Sequence, residues 1–279
     1  MVRAGLRTTI QDLGRAGLAH VGVSRAGALD AASLRLANRL VGNPEDAAGL
    51  EATLGGCVLR PSHAMTLAVT GARCSLSIDG RACEWGLPVD VPAAATVTVG
   101  PASAGLRAYI AVGGGVVVPP VLGSRSTDTL SGIGPAPILD GDLLPVGPPV
   151  GPPPGVDVAP YALPPTDMTV RVWVGPRDNW FTPGAVQTFC TSIYTISALT
   201  DRVAARLVGP PLTRALTDEL PSEGLVLGAV QVPTDGQPLI FLADHPTTGG
   251  YPVVAVVDPD DLDQIAQARP GTPLRFRPM

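Results

Sequence analysis

The chain has 279 residues, a formal net charge of -5 and a hydrophobic fraction of 45%. This length suits one large domain or two ordinary domains, each able to bury its own core. The negative charge argues against a nucleic-acid partner, because binding to phosphate backbones depends on clustered positive charge. The apolar runs are far shorter than the roughly 20 residues of a membrane helix, so we expect no membrane segment.

All 19 basic residues are arginines, and the chain contains no lysine. This excludes a lysine Schiff base, a phosphate-loop lysine and a biotin-acceptor lysine on this chain. ATP would have to be handled by arginine, backbone amides, a metal or a partner chain. Any biotin would be attached elsewhere.

The four cysteines and three histidines show no spacing typical of a disulfide framework or a metal site. We therefore expect core thiols and no metal. The N-terminal residues lack an apolar signal core, which together with the unpaired cysteines favours the cytoplasm.

The first predicted domain spans residues 1–147. Its β-branched opening, Leu6–Gln11, breaks at Asp12–Gly17, where Asp12 and Arg15 either pair across a turn or contribute to a site. Asp30 is the predicted N-cap of a helix whose apolar residues recur at helical spacing up to Val41.

A period-two pattern from Met65 to Val112 predicts β-strands. Asp79-Gly80 is typical of a tight hairpin turn that pairs Leu76 with Cys83. Further strands are predicted over 95–99 and 106–112.

Two polar loops follow these strands. Three glycines, 113–115, and the segment Gly123–Thr127 with Ser124 and Arg125 indicate either ordinary loop geometry or contact with an anion. Neither has the spacing of a dinucleotide fingerprint or a nucleophile elbow.

Proline and glycine dominate residues 148–166, which we interpret as a linker. The second predicted domain, 167–279, contains several short strands, a short helix after Thr182, a last helix over 260–268 and a closing strand over 274–277.

The most informative stretch lies within this second domain, at residues 227–252. Two apolar runs, 227–232 and 239–243, flank a turn over 233–236 and predict a hairpin. The second run leads directly into Asp244 and a loop of hydroxyls and glycines ending at Tyr251. Polar groups and bare amides at one strand end are typical of a substrate site, although an ordinary hydrophilic loop has the same composition.

Candidate site residues follow from this pattern. A carboxylate at the end of a buried strand is costly unless it is paired, so Asp244 is the predicted general base or water-holder. Glutamine amides match the edge of a lactam or ureido ring, and arginines offer a fork for a carboxylate or phosphate. The predicted catalytic residues are Asp244, Thr247 and Thr248. The predicted substrate-binding residues are Gln231, Gln237, Gly249, Gly250, Tyr251, Asp12, Arg15, Arg177, Ser124 and Arg125.

The many short strands and few helices predict a mainly β, antiparallel protein with two barrels or sandwiches. Because the chain begins and ends on strand-like segments, pairing of the first strand with the second domain stays open.

Several motifs together resemble one known family. They are TTIQDLGRAG, SRAGALD, LANRLVGN, PPVLGSRST, VGPRDNWF and GAVQVPTDGQPLIFLADHPTTGGYP. In this order along the chain they resemble biotin-dependent carboxyltransferase-related proteins. Stand-alone members of that family are 5-oxoprolinase C subunits, also called KipA-type proteins or allophanate hydrolase subunit 2. Fused members are the carboxyltransferase part of urea carboxylase. The resemblance implies two cyclophilin-like β-barrel domains.

The resemblance also implies three functions. The first is the C-type subunit of an ATP-dependent 5-oxoprolinase that opens 5-oxo-L-proline to L-glutamate. Its partners would be a KipI-type protein as the B-type subunit and a LamB/YcsF-type protein as the A-type subunit, with ATP used by the complex. The second is a biotin-dependent carboxyltransferase or allophanate hydrolase component of the urea amidolyase type. The third is a KipA-type regulatory binding module that antagonises a kinase inhibitor without turnover.

Overall fold

The computed structural model describes residues 1–155, 159–160 and 163–279. The predicted linker over 148–166 falls partly on the remaining residues and to that extent lies outside the described part. The chain divides into two compact units. The first comprises residues 1–15, 26–128 and 132–164, and the second comprises residues 16–25, 129–131 and 165–279.

The first unit is built on a seven-stranded antiparallel sheet. Its central path runs β1, β2, β7, β4, β5, with β3 paired to β7 and β6 paired to β4. The elements are β1 (Arg7–Gln11), α1 (Ala31–Leu40), β2 (Gly49–Thr53), β3 (Gly55–Leu59), β4 (Met65–Ile78), β5 (Arg81–Cys83), β6 (Val89–Val91) and β7 (Val97–Val112).

Alternation along the two longest strands separates the two faces of this sheet. Ala68, Tyr109 and Ala111 pack against buried residues of α1. Their neighbours, such as Leu67 and Val112, point to the opposite face and join a second apolar cluster. The sheet therefore has α1 on one face and a separate core on the other.

Local predictions in this unit are largely confirmed. The Asp30 side chain accepts a hydrogen bond from Ser33 N and caps α1 at its N-terminus. The hairpin pairs Leu76 with Cys83, and Asp79 and Gly80 both have the positive φ of the predicted turn. The four cysteines of the chain are free: Cys57 and Cys74 are the expected core thiols, whereas Cys83 and, in the second unit, Cys190 are only half-buried.

Two expectations differ from the structure. The strands predicted over 95–99 and 106–112 are one strand, β7, because its pairing with β4 continues past register shifts between Gly71 and Leu76. A β-bulge of this kind breaks the period-two pattern without ending the strand. The first strand, β1, pairs with β2 inside the first unit, so the alternative pairing with the second domain is wrong.

The second unit contains a closed seven-stranded barrel in the order β10, β13, β12, β15, β8, β16, β9. Its elements are β8 (Met168–Val174), α2 (Pro183–Thr191), β9 (Tyr194–Ile196), β10 (Ala204–Val208), β11 (Glu223–Gly224), β12 (Ala229–Gln231), β13 (Leu239–Phe241), β14 (Thr248–Gly249), β15 (Val253–Val257), α3 (Leu262–Gln267) and β16 (Pro273–Pro278).

Among the described strand pairs, β8 and β16 alone run parallel. They are the first and last strands of the barrel in chain order, so the remaining strands form the long crossover that a parallel pair requires. The predicted hairpin is confirmed, since Val230 pairs with Ile240 and Gln231 with Leu239. A separate two-stranded ribbon, β11 with β14, holds part of the polar loop after Asp244.

The mainly β fold class with a few short helices is confirmed. The closed barrel is found in the second unit, while the strands of the first unit form the sheet described above. None of the helices described here has the length and hydropathy that a membrane crossing requires.

Candidate functional site

Asp244 is fully buried and both of its carboxylate oxygens are occupied. Arg202 donates from Nη2 to Oδ1 and from Nε to Oδ2, each at 2.9 Å. The backbone N–H and hydroxyl of Thr129 donate to Oδ2 at 2.8 and 2.7 Å. Arg202 is itself only 3% exposed. A buried carboxylate is tolerated when such donors replace water, and a forked arginine contact is the strongest arrangement of this kind.

This geometry favours a positioning role for Asp244. A general base needs an accessible lone pair within hydrogen-bond reach of the substrate proton, and here donors of the protein take up both oxygens. The recorded partners of the carboxylate, Arg202 and Thr129, also lie outside the loop that follows Asp244. The catalytic assignment of Asp244 therefore stays a prediction, and the structure adds Arg202 and Thr129 as residues on which its state depends.

The loop after Asp244 is held by backbone pairing. The carbonyl of Thr247 accepts a hydrogen bond from Leu225 N at 2.9 Å. Thr248 and Gly249 then form β14 and pair with Gly224 and Glu223. Thr248 itself is exposed, so its hydroxyl is available to a ligand.

Gln231 and Gly249 are brought together beside Tyr251. Gln231 is 4% exposed and donates from Nε2 to the Tyr251 carbonyl at 2.9 Å. A Cβ on Gly249 would lie 2.8 Å from that same nitrogen and 2.8 Å from Leu225 Cδ1. The absence of a side chain at Gly249 therefore allows Gln231 and Leu225 to approach the backbone closely, and the buried amide fixes the end of the loop.

A cavity of about 440 Å³ opens at this end of the loop. Its lining consists of Glu219, Leu220, Pro221, Ser222, Gly250 and Tyr251. The guanidinium carbon of Arg214 lies 5.4 Å from the centre of the Tyr251 ring, within cation–π range. Arg214 also donates to the Val232 carbonyl at 2.6 Å, which anchors it to the barrel. We take this cavity as the candidate site of the second unit.

Arg177 is engaged by Glu223 on β11. Its Nε donates to Glu223 Oε2 at 2.9 Å, and its Nη2 contacts the other carboxylate oxygen. The hydrogen bonds from Arg177 lower the pKa of Glu223, and those to Glu223 raise the pKa of Arg177. This pair secures the β11–β14 ribbon, so Arg177 reaches the loop through Glu223.

Gln237 lies at a different turn. Its side-chain amide accepts from Gly209 N at 3.0 Å and donates to Gly209 O at 3.1 Å. Both functions of the amide are thus used to bind one backbone residue. Gln237 therefore stabilises the turn at Gly209 and is not among the residues that line the cavity at Tyr251.

The predicted residues of the first unit converge on Asp12. Its Oδ1 accepts from the hydroxyls of Ser124 and Ser126 at 2.6 and 2.5 Å and from Gly14 N at 2.8 Å. Its Oδ2 accepts from Arg125 N at 2.6 Å. Burial by itself raises the pKa of Asp12, but these hydrogen bonds outweigh it and lower the pKa below its ordinary value. The loop 123–127 therefore binds an anion, and that anion is Asp12.

Arg15 extends the same cluster. It is 3% exposed and donates from Nη2 to the Ser126 carbonyl at 2.6 Å. Asp12 and Arg15 thus both contact the 123–127 segment, which replaces the direct turn pairing expected as one alternative. Arg125 donates its Nε to the Val118 carbonyl at 2.8 Å.

The glycines at 113–115 use their amides within the protein. Gly113 N donates to Thr66 O and Gly115 N to Val112 O. Gly114 N donates to Asn43 Oδ1 at 2.8 Å. Of the two interpretations of this segment, the structure supports loop geometry.

A further buried polar cluster in the first unit was not anticipated. Tyr109 donates its hydroxyl to Glu51 Oε2 at 2.8 Å, and Arg107 lies 3.7 Å from the other oxygen of Glu51. Burial, and then the charge of Glu51, raise the pKa of Tyr109 well above its ordinary value. The sequence signal that could have identified the ion pair is the presence of one charged residue in each of two buried strands, Glu51 in β2 and Arg107 in β7.

Gly249→Ala is expected to destabilise the second unit by about 1–3 kcal/mol, because the added methyl must displace the Gln231 amide or Leu225. The measurement is the free energy of unfolding by urea denaturation. Gly224→Ala in the neighbouring strand is the matched control, since its Cβ would meet nothing within 4 Å. We expect the control to be neutral or slightly stabilising. Equal losses for the two variants would contradict the proposed contact with Gln231.

Comparisons with known proteins agree on one family. The model for the carboxyltransferase domain, subdomain A and B, matches residues 21–278. The chain is 38% identical to the C subunit of 5-oxoprolinase from Escherichia coli over 99% of this chain and 89% of that protein. It is 32% identical to the urea amidolyase of Lachancea kluyveri over 99% of this chain and 16% of that protein. The crystal structure of the K. lactis urea amidolyase aligns with a TM-score of 0.89 at 28% identity, over 100% of this chain and 18% of that chain.

Proposed function

Since the chain belongs to the family of carboxyltransferase domains with subdomains A and B, we propose that it is the C subunit of an ATP-dependent 5-oxoprolinase. That enzyme opens 5-oxo-L-proline to L-glutamate. The observation that carries the proposal is the 38% identity to the C subunit from Escherichia coli, which extends over 99% of this chain and 89% of that protein. The urea amidolyase relatives match over only 16% of their length.

The proposed enzyme is a hydrolase active only as a complex. The relatives are named as subunits, which supports an assembly of several chains. We assign a KipI-type protein as the B-type partner and a LamB/YcsF-type protein as the A-type partner. The substrate is a small cyclic amide, and ATP is consumed by the assembled complex.

The sequence singled out two loops, 113–115 and 123–127, for possible contact with an anion. Their described residues do not fit ATP. The amides at 113–115 donate to protein acceptors. The segment 123–127 directs its donors at the Asp12 carboxylate. No lysine is present to reach a phosphate. We therefore assign the binding of ATP to the partner proteins.

The cavity beside Tyr251 is the proposed contact of this chain with the substrate. Thr248 offers an exposed hydroxyl, and Ser222 and Gly250 line the cavity. Gln231 donates a hydrogen bond to the Tyr251 carbonyl and so fixes the loop next to the cavity. Asp244 and Arg202, upstream of the loop, fix the point at which it leaves β13. Binding and orientation of the amide at this end of the loop is the chemical role that these groups support.

A urea amidolyase-type activity is the second candidate, because two relatives at 32% and 30% identity carry that name. Both reactions present a planar amide edge to the protein, and related scaffolds support both. In this case a biotin-carrying partner would be required, since this chain has no lysine to carry biotin.

Reconstitution separates the two candidates. We expect ATP-dependent glutamate release from 5-oxoproline when the chain is mixed with A- and B-type subunits, and none from this chain alone. Omitting this chain should abolish release. The control replaces 5-oxoproline by urea together with a biotin carboxylase and a biotin carrier protein. Urea-dependent turnover without glutamate release would replace the first proposal by the second, and steady ATP hydrolysis by the isolated chain would contradict the assignment of ATP to the partners.

A further inference from the structure

The first unit contains a second cavity, of about 490 Å³, which the proposed function does not use. It opens on the face of the sheet opposite to α1. Its floor is formed by Leu50, Leu67, Val97 and Val112 from β2, β4 and β7. These side chains are between 1% and 7% exposed, so the floor is the apolar core itself.

An open space of this size beside a core is unusual. Protein interiors are packed as densely as organic crystals, and unfilled apolar volume destabilises the folded state in proportion to its size. Sites for small molecules have volumes of about 300–1,000 Å³ and apolar linings with a few polar groups. The cavity has the size and the lining of such a site.

The mouth of the cavity carries polar side chains, including one arginine. Arg60, Ser62 and His63 line it, and all three are exposed. Arg60 donates to Thr96 Oγ1 at 3.3 Å, a long contact that leaves guanidinium donors for a ligand. The His63 ring lies 3.2 Å from the Ser62 hydroxyl. Of the described residues that line the cavity, none is acidic.

Leu143 adds an apolar residue at the same mouth. It lines the cavity and is 93% exposed. Isolated exposed leucines are common, but this one lies on the rim of an apolar cavity, where a bound apolar chain would cover it.

From these observations we infer that the first unit binds a small amphipathic carboxylate, with its hydrocarbon body on the floor formed by β2, β4 and β7 and its carboxylate beside Arg60 and His63. The apolar floor supplies affinity, and the Arg60 guanidinium supplies the preference for an anion. A cavity of about 490 Å³ suits a small molecule better than a peptide segment.

The test is isothermal titration calorimetry of the complete chain with decanoate, octanoate and decanol. We expect one decanoate per chain, with octanoate about tenfold weaker because each buried methylene contributes roughly threefold to fourfold in affinity. Decanol should bind more weakly than decanoate. Equal affinities for decanoate and octanoate would contradict binding of the hydrocarbon chain on the apolar floor. Equal affinities for decanoate and decanol would contradict the preference for an anion.

Variants locate the site. Leu59→Trp fills the cavity from a half-buried lining position and should lower decanoate affinity more than tenfold, while Val208→Trp, on an exposed strand position of the second unit, should not. Arg60→Gln should weaken decanoate about threefold to fivefold and leave decanol unchanged, whereas the exposed Arg81→Gln should change neither.

One variant keeps the test decisive if Leu59→Trp fails to fold. Leu143→Asp places a negative charge on the exposed rim without touching the core and should also weaken decanoate binding. Leu199→Asp, at an exposed position of the second unit, should not. Unchanged affinity in Leu143→Asp and Arg60→Gln would overturn the inference. Because binding is measured on the chain alone, a negative result leaves the proposed 5-oxoprolinase role unaffected.

Discussion

Asp244→Asn is expected to lower the free energy of unfolding by about 3–5 kcal/mol, the usual consequence of removing one partner of a buried ion pair. The variant takes from the Arg202 guanidinium, 3% exposed, the carboxylate that faces it. In the wild type, the carboxylate oxygens accept hydrogen bonds from Arg202 and the Thr129 N–H. In the variant, an amide N–H₂ replaces one of these oxygens and faces a donor. The measurement is urea denaturation followed by tryptophan fluorescence and circular dichroism.

Two controls separate burial from charge. Asp167→Asn removes the same charge from an exposed pair with Arg275 in the same unit and should cost less than about 1 kcal/mol. The double variant Asp244→Asn with Arg202→Met should be no less stable than Asp244→Asn alone, because the buried guanidinium has gone as well. Additive losses in the double variant would show that the ion pair is not the source of the effect.

The same variant tests the catalytic assignment. If Asp244 were a general base on an otherwise unchanged fold, turnover in the reconstituted complex would fall about 100-fold or more with little loss of stability. The geometry predicts instead that the main effect of the variant is a large loss of stability. A variant with wild-type stability and no turnover would establish Asp244 as a base and contradict the positioning role.

The sequence was sufficient to identify Asp244 as a special position but not to identify its partners. A carboxylate directly after the buried run 239–243 must be compensated, and this was predictable from burial alone. Thr129 and Arg202 lie far from Asp244 along the chain, and nothing in local periodicity specifies such contacts. Composition predicted a polar loop. Pairing of β10 with β13 in the barrel places Arg202 beside Asp244, whereas Thr129 reaches Asp244 from outside the barrel strands.

In the fold, too, local features were predictable from the sequence and tertiary contacts were not. Turn chemistry at Asp79-Gly80 and at 233–236 predicted both hairpins, because turn residues act locally. The single long strand β7 was missed, since register shifts against β4 break the alternation on which the pattern depends. The parallel pairing of β8 with β16 joins the first and last strands of the barrel. Only the closed barrel makes that pairing necessary.

The loops of the first unit show how composition can indicate the right chemistry and the wrong ligand. Glycine, serine and arginine near 123–127 suggested contact with an anion. In the structure those groups do contact an anion, the side chain of Asp12. Local sequence patterns treat Asp12 and this segment separately and have no means of pairing them, because more than a hundred residues separate them.

Asp12→Asn is therefore expected to destabilise the first unit by about 2–3 kcal/mol at neutral pH, since Ser124, Ser126 and the Arg125 N–H would lose a charged acceptor. The loss should depend on pH in a defined direction. The folded-state pKa of Asp12 is lowered, so its contribution to stability is complete above the unfolded value of about 3.9 and disappears as pH falls through the folded value. The difference in unfolding free energy between wild type and variant should stay constant from pH 7 to about 5 and narrow below about 4.

Asp46→Asn, an exposed aspartate of the same unit, is the matched control and should show little loss at any pH. Denaturant titrations of the three proteins at a series of pH values provide the comparison. A wild-type to Asp12→Asn difference that persists unchanged below the folded pKa of Asp12 would mean that the ionised carboxylate is not what holds the 123–127 segment. The hydroxyls of Ser124 and Ser126 would then have to be stabilised by contacts that an amide supplies equally well.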